Sequence, residues 1–319
     1  MVVGKYKASR PGTKDAMTQE HGHEGHSHEG HAHAAPRQVG QQQAGPQSAQ
    51  AAQARAKIEQ MKRTWEQKRN IANSLGRIKY KIGVYSGKGG VGKTTVACNL
   101  AVTLAQEGAR VGILDVDIDC PNVVRAMKVS EPPLVTEDKK LMPPERYGVR
   151  VMSMGFFQQK EEEAIIWRGP MIHNAISQLL QSTDWGDLDY LLIDLPPGTS
   201  DAPLTIMQSL TMDGFVIVAT PQELARIDAM RSINMIKTLK INVLGIVENF
   251  SGEMFGSGGG EDLAVEMGLP FLGRLEMRKE YRDTSKPATV TSRQVFKEYQ
   301  HVVEQLKAQL SKLEVGAAK

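Results

Sequence analysis

The 319-residue sequence predicts an α/β fold, a mostly parallel sheet with helices on both faces. Short apolar runs alternate with helical segments from about residue 79 onward, as repeated strand–helix units require. Most of these runs are continuously apolar, which suits strands covered by helices on both sides. Polar and glycine-rich residues cluster just after the runs, at the carboxyl ends where open α/β sheets bind their ligands.

The chain begins differently. Residues 1–55 hold a histidine repeat and then "QVGQQQAGPQSAQAAQ", almost without large apolar side chains. Such a composition cannot bury enough surface to offset the entropy of ordering, so a disordered tail is expected. Over 56–78, Ile58, Met61, Trp65, Ala72 and Leu75 recur at helical spacing among charges, and Gly76 offers a stop. A linker helix is expected there. One domain over 79–319 accounts for the rest, with strands "KIGVYS", "RVGILDVD", "VRVMSMG", "YLLIDLPP", "GFVIVATP", "NVLGIVEN" and "PFLGRLE". Its last helix carries Phe296, Tyr299, Val302, Val303, Leu306 and Leu310 on one face, a stripe suited to a core rather than a membrane.

Composition narrows the function classes. A hydrophobic content of 40% suffices for a sizeable core, and a net charge of +3 gives little reason to expect a nucleic-acid partner. No apolar run approaches the ~18 residues of a membrane span, and MVVGKYKASRPG lacks the apolar centre of a signal peptide. Two cysteines, Cys98 and Cys120, make no disulfide framework. A cytoplasmic protein without a membrane partner is expected.

The chemistry concentrates in "SGKGGVGKTT", residues 86–95. This stretch satisfies G-x-x-x-x-G-K-[ST] between a strand and the helix "TTVACNLAVTLAQEG", the context a phosphate-binding loop requires. Gly87, Gly89, Gly90 and Gly92 let the backbone N–H groups of the loop, Lys88 and Val91 included, turn toward one point. The helix N-terminus adds partial positive charge. Lys93 is placed to neutralise β- and γ-phosphates, Thr94 to ligate Mg²⁺ and Thr95 to reach the α-phosphate.

Two further strands end in carboxylates. "GILDVDIDCPN" offers Asp115 and Asp117, and a carboxylate there can position an attacking water. "YLLIDLPPGTSD" offers Asp194 as the outer-sphere magnesium partner, and its turn offers the amide of Gly198 to the γ-phosphate. Together these predict a P-loop NTPase that binds and hydrolyses ATP with Mg²⁺.

Lys88 is a second cation in the same loop. A side chain leaving that tight turn projects outward, so in a homodimer with nucleotide between the copies each Lys88 can cross to its partner's phosphates. There it would stabilise charge on the leaving oxygen, as an arginine finger does in trans. Lys88, Lys93 and Asp117 are the expected catalytic residues.

The residues also resemble a known family. "KGGVGKTT" is similar to the deviant P-loop of the MinD/ParA-like ATPases. With "VRVMSMGF", "IIWRGPM", "DWGDLDYLLIDLPPGTSD", "IVATPQELARIDAMRSINMI", "VLGIVENFSG" and "PFLGRLE", it resembles the Mrp (ApbC) iron–sulfur cluster carriers over about residues 75–310. The resemblance implies a cytosolic homodimeric ATPase that passes a metal cluster to apo-metalloprotein clients. It also implies that Lys88 is the signature lysine, Asp117 the water-positioning aspartate and Asn249 the adenine contact.

The chain departs from that family in one place. Relatives usually follow "ENMS" with a C-x-x-C pair that holds a bridging cluster, whereas this chain reads "ENFSGEMFGSGGGEDLA". Thiolates are the usual ligands of iron–sulfur clusters. Cys120 either offers one thiolate from each copy of a dimer or fills a turn; Cys98, on the helix after the loop, reads as core. "HGHEGHSHEGHAH" sets His21, His23, His26, His28, His31 and His33 in three H-x-H units, a density that chelates Ni²⁺ or Zn²⁺. His173 and His301 have no partner spacing and read as structural. The leading expectation is an ATP-dependent metal or iron–sulfur cluster carrier in metalloprotein assembly. The alternatives are a chaperone for a single ion such as nickel and a MinD/ParA-like partitioning or positioning ATPase.

Overall fold

The computed structural model describes residues 46–157 and 169–317, and the fold belongs to the unit Ala54–Lys319. The histidine repeat, Trp167 and Arg168 lie outside the described residues, as does the side chain of His173. Helix α1 (Pro46–Leu75) begins inside the stretch expected to be disordered. Alanine and glutamine dominate its first turns, and both are good helix formers. From Ala54 on, the described side chains enter the core only near its end. Ile71 and Leu75 are buried, whereas Ile58, Met61 and Trp65 are 54%, 65% and 62% exposed.

From there the chain alternates. Strand β1 (Ile78–Tyr85) leads through α2 (Lys93–Gln106) to β2 (Val111–Asp115) and the short α3 (Val123–Met127). A small hairpin of β3 (Leu134–Val135) and β4 (Leu141–Met142) precedes β5 (Glu145–Arg146) and β6 (Val149–Ser153). Then come α4 (Gly169–Ser182), β7 (Leu188–Asp194), α5 (Asp201–Ser209), β8 (Gly214–Ala219) and α6 (Glu223–Thr238). The chain ends with β9 (Val243–Ser251), α7 (Gly259–Met267), β10 (Phe271–Glu276), α8 (Ala288–Thr291) and α9 (Arg293–Ala317).

The main sheet has eight strands in the order β10-β9-β8-β1-β7-β2-β6-β5. The seven apolar runs of the sequence are its parallel strands, and β5 alone runs antiparallel, against β6 at the edge. Two polar residues are too short a strand to leave a sequence signal, and a short edge strand also offers little backbone for unwanted pairing.

Helices cover both faces. One core layer joins Ile71 and Leu75 of α1, Ile176 and Leu180 of α4, Ile206 of α5, Ile233 of α6 and Leu263 of α7. The other joins Val96, Leu100 and Leu104 of α2 with Tyr299, Val302, Val303, Leu306 and Leu310 of α9. The α9 stripe is therefore core, although Val295 takes the buried place expected for the half-buried Phe296. Among the described residues no helix is long and apolar enough to cross a membrane.

The topology also fixes where a ligand goes. From β1 the chain runs to β2, two places away, and from β7 it returns to β8 on the far side of β1. The crossovers part above β1 and β7, leaving a crevice at their carboxyl ends.

Candidate nucleotide site

The loop joining β1 to α2 lies in that crevice. Gly92 sits at φ 80°, and a Cβ there would lie 2.3 Å from Asn249 Nδ2. A Cβ on Gly87 would lie 2.2 Å from the backbone of Asp228 on α6. These two glycines let neighbouring elements close on the loop from behind, while Gly89 and Gly90 border the open cleft. Val91 points away from the cleft: its side chain is buried, and its carbonyl accepts from Asn249 Nδ2 at 2.8 Å. Gly87 and Val91 thus help to fix the shape of the loop through this packing.

One carboxylate organises the far side. Asp194 ends β7 beside Val84 of β1 and Asp115 of β2, and it is fully buried. Its Oδ1 lies 2.5 Å from Lys93 Nζ, and its Oδ2 accepts from the Thr94 hydroxyl at 2.6 Å. Lys93 is itself only 6% exposed. The expected phosphate-binding lysine and magnesium-ligating hydroxyl are thus held by the aspartate expected to stand behind the metal.

Asp115 and Asp117, adjacent in the sequence reading, separate in space. Asp117 lines the cleft, and its carboxylate accepts from the Cys120 N–H at 3.2 Å. Burial raises its pKa, and the positive charge of Lys93 opposes that rise. Asp115 lies deeper and ties down the turn, accepting from the Asp117 and Val123 amides at 3.1 Å and the Ser153 hydroxyl at 3.0 Å. Burial, and then the neighbouring Asp194 carboxylate, push its pKa up from 3.8 to about 7.

A pKa raised on folding makes a contribution that is whole below about 4 and is lost as pH rises through about 7. Melting temperature without nucleotide should therefore decline across that window, with a shallower slope in Asp115→Asn. An unchanged slope would place the titration elsewhere.

The turn after β7 is tied to the P-loop. The Gly198 amide donates to the Ser86 carbonyl at 3.0 Å, and the Gly198 carbonyl accepts from the Tyr85 hydroxyl. Asn249, the residue expected at the adenine, also braces the loop through its Nδ2 bond to the Val91 carbonyl.

The phosphate cleft measures about 430 Å³ and is lined by Lys88, Gly89, Gly90, Gly92, Lys93, Thr94, Thr95, Asp117 and Cys120. Sequence reading missed Pro196, Pro197 and Ser200 of its wall, whose roles depend only on backbone position. A second cleft of about 370 Å³ shares Thr94, Thr95 and Asn122 with it and continues to Tyr281, Asp283 and Lys286. A third, of about 590 Å³, shares Asp119, Cys120 and Asn122 and opens toward Lys128.

Cys120 is exposed at the junction of the first and third clefts. Cys98 is buried, and burial drives its thiol pKa well up. Among the described residues no three His, Cys, Asp or Glu side chains gather to hold a metal ion.

A glycine-rich loop on a central parallel strand, with a lysine and a hydroxyl bound to a neighbouring strand's aspartate, defines a P-loop NTPase. A family profile described as the NUBPL iron-transfer P-loop NTPases, of the ParA group, matches residues 77–310, and the chain belongs to that family. An iron–sulfur cluster carrier protein of Methanocaldococcus jannaschii is 40% identical over 265 residues, spanning 76% of this chain and 88% of that protein. A nucleotide-binding protein of Archaeoglobus fulgidus, solved in complex with ADP, is 35% identical with a TM-score of 0.62 over 73% of this chain and 95% of that one. The cell division ATPase MinD of Pyrococcus furiosus, 22% identical with a TM-score of 0.57 over 72% of this chain and 99% of its own, shares the fold.

Proposed function

We propose that this chain is a homodimeric, magnesium-dependent ATPase that carries an iron–sulfur cluster to apo-metalloproteins. One observation carries the ATPase reading: the Asp194 carboxylate holds Lys93 and Thr94 together at the wall of a cleft built on the P-loop. The donor set suits a magnesium nucleotide, since it combines a nearly buried ammonium, a hydroxyl and a carboxylate behind that hydroxyl. Magnesium, when bound, neutralises charge on the terminal phosphates.

The chain's own residues do the rest. Lys93 holds the β- and γ-phosphates, Thr94 ligates the metal, Asp194 orients both, and Thr95 meets the α-phosphate. Asp117 accepts a hydrogen bond from the attacking water. The nucleoside end occupies the adjoining cleft past Thr95. Lys88, half-buried on the cleft wall, crosses to the second copy's phosphates.

The cargo reading rests on relatives named as iron–sulfur cluster carriers at about two-fifths identity. Cys98 is too deeply buried to serve as a thiolate, which leaves Cys120. Two copies supply two thiolates to a cluster bridging the dimer, which then passes to the client's own ligands. The missing C-x-x-C pair favours a second reading, in which the cargo is a single ion such as Ni²⁺ or Zn²⁺ held by His21, His23, His26, His28, His31 and His33. Likeness to MinD at 22% identity lends no support to a positioning role.

Protein purified without oxygen distinguishes these. Iron and sulfide in equal amounts, with absorbance near about 400 nm, both lost in Cys120→Ser, are expected, and Lys88→Ala should bind nucleotide yet turn over about a hundredfold more slowly. Nickel or zinc without sulfide, lost with residues 1–50, would establish the ion reading. A monomer whose turnover is indifferent to Lys88→Ala would end the dimer.

A further inference from the structure

Helix α1 joins the domain only near its C-terminal end. Every described side chain from Ala54 to Asn70 is exposed, whereas Ile71 and Leu75 enter the core. Three large apolar side chains on this stretch, Ile58, Met61 and Trp65, therefore have no cover among the described residues. At about 3.6 residues per turn they share one face, roughly a quarter turn from the side carrying Ile71 and Leu75, so the domain does not shield them.

The charges are sorted around that stripe. By the same helical geometry Lys57 borders it on one side, and Arg55, Lys62 and Arg69 on the other. The Arg69 guanidinium lies 4.9 Å from the centre of the Trp65 ring. Glu59 and Glu66 lie further round, and Glu59 pairs with Arg63 at 3.5 Å on the far side. An apolar stripe with a tryptophan, bordered by cations and with its carboxylates turned away, is the arrangement of a helix lying in a membrane interface. The apolar residues enter the acyl boundary while lysine and arginine stems reach back to the headgroups.

We propose that α1 docks on a lipid bilayer surface bearing anionic headgroups, lying along it without crossing. Charge complementarity selects this occupant. A second α1 laid on the stripe would press two cationic borders together, which Coulomb repulsion opposes. A nucleic acid would satisfy the cations but offers no apolar layer for Ile58, Met61 and Trp65. The bilayer satisfies both. It also supplies the tertiary support that a helix standing free in water lacks. A stripe this short gives modest, reversible attachment, and it uses no residue of the nucleotide site.

The test is co-sedimentation of the full chain, in EDTA, with vesicles of phosphatidylcholine carrying about one-third phosphatidylglycerol, against phosphatidylcholine alone. Binding is expected on the anionic vesicles only, and it should fall as salt rises from about 0.1 to 0.5 M. A blue shift of tryptophan emission on binding should vanish in Trp65→Ser. That variant and the double reversal Lys57→Glu with Lys62→Glu should each weaken binding about tenfold, with ATP turnover unchanged.

No pelleting with anionic vesicles, or equal pelleting of both variants, overturns the proposal. So does tighter binding to duplex DNA than to the vesicles. A fall in native mass in Trp65→Ser would assign the stripe to a second copy and overturn it as well.

Discussion

Lys93→Met should abolish measurable ATP turnover and also destabilise the protein by about 3 kcal/mol, and adding Asp194→Asn should restore stability without restoring turnover. The two groups lie 2.5 Å apart, with Asp194 fully buried and Lys93 nearly so. Removing one partner strands the other's charge in the interior, and that penalty exceeds the net worth of the intact pair. Neutralising both removes the penalty. Catalysis does not recover, because the ammonium that neutralises the transferred phosphate is gone. Chemical denaturation and phosphate release read the two effects separately. If the single variant were as stable as the parent, Asp194 would not be held as a buried anion.

Glu248→Ala should cost a similar ~3 kcal/mol and also weaken nucleotide binding, although Glu248 touches no part of the cleft. Its buried carboxylate accepts from the Gly260 amide at 2.6 Å, the Gly258 amide at 3.0 Å, Arg274 Nε at 2.8 Å and the Ser251 hydroxyl at 2.9 Å. Burial would raise its pKa, yet these donors outweigh burial and hold it below the ordinary value. Its contribution is therefore whole above about 4.5 and is lost as pH falls through the lower folded value. Without the carboxylate, the start of α7 and Arg274 lose their common acceptor.

The next two residues carry the effect to the loop. Asn249 holds the Val91 carbonyl, and Phe250 packs behind Gly92. Glu248→Gln keeps the shape without the charge and should fall between parent and alanine variant. Hydrogen exchange over 251–267, together with ATP affinity, provides the check; a stable variant with normal affinity would show that the two regions are independent.

What the sequence disclosed and what it hid follow from the range of the interactions. The seven parallel strands and the P-loop are local patterns, an apolar run or a fixed spacing of glycine, lysine and threonine. That spacing alone singles out Lys93 and Thr94 as expected site residues, and both contact Asp194. The Glu248 network was invisible because its donors lie three to twenty-six residues away and two of the four are backbone amides of glycines. The same holds for Gly198: its position after "DLPP" was legible, but the engagement of its amide with Ser86 depends on the register of β1 against β7. The resemblance points Asn249 to the adenine, and its bond to the Val91 carbonyl inside the loop left no signal in the sequence. For α1, low hydrophobicity predicts disorder up to residue 55, while alanine and glutamine give part of the same stretch the propensity for the helix that begins at Pro46.

The bond between Gly198 and Ser86 alters how an occupant of the site is rewarded. An amide that already has an acceptor makes a one-for-one exchange when a phosphate oxygen claims it, so the gain is only the difference between two partners. The Pro-Pro-Gly turn can thus change allegiance at little net cost in either direction, and a terminal phosphate that recruits it leaves a mark on β1 that its departure erases.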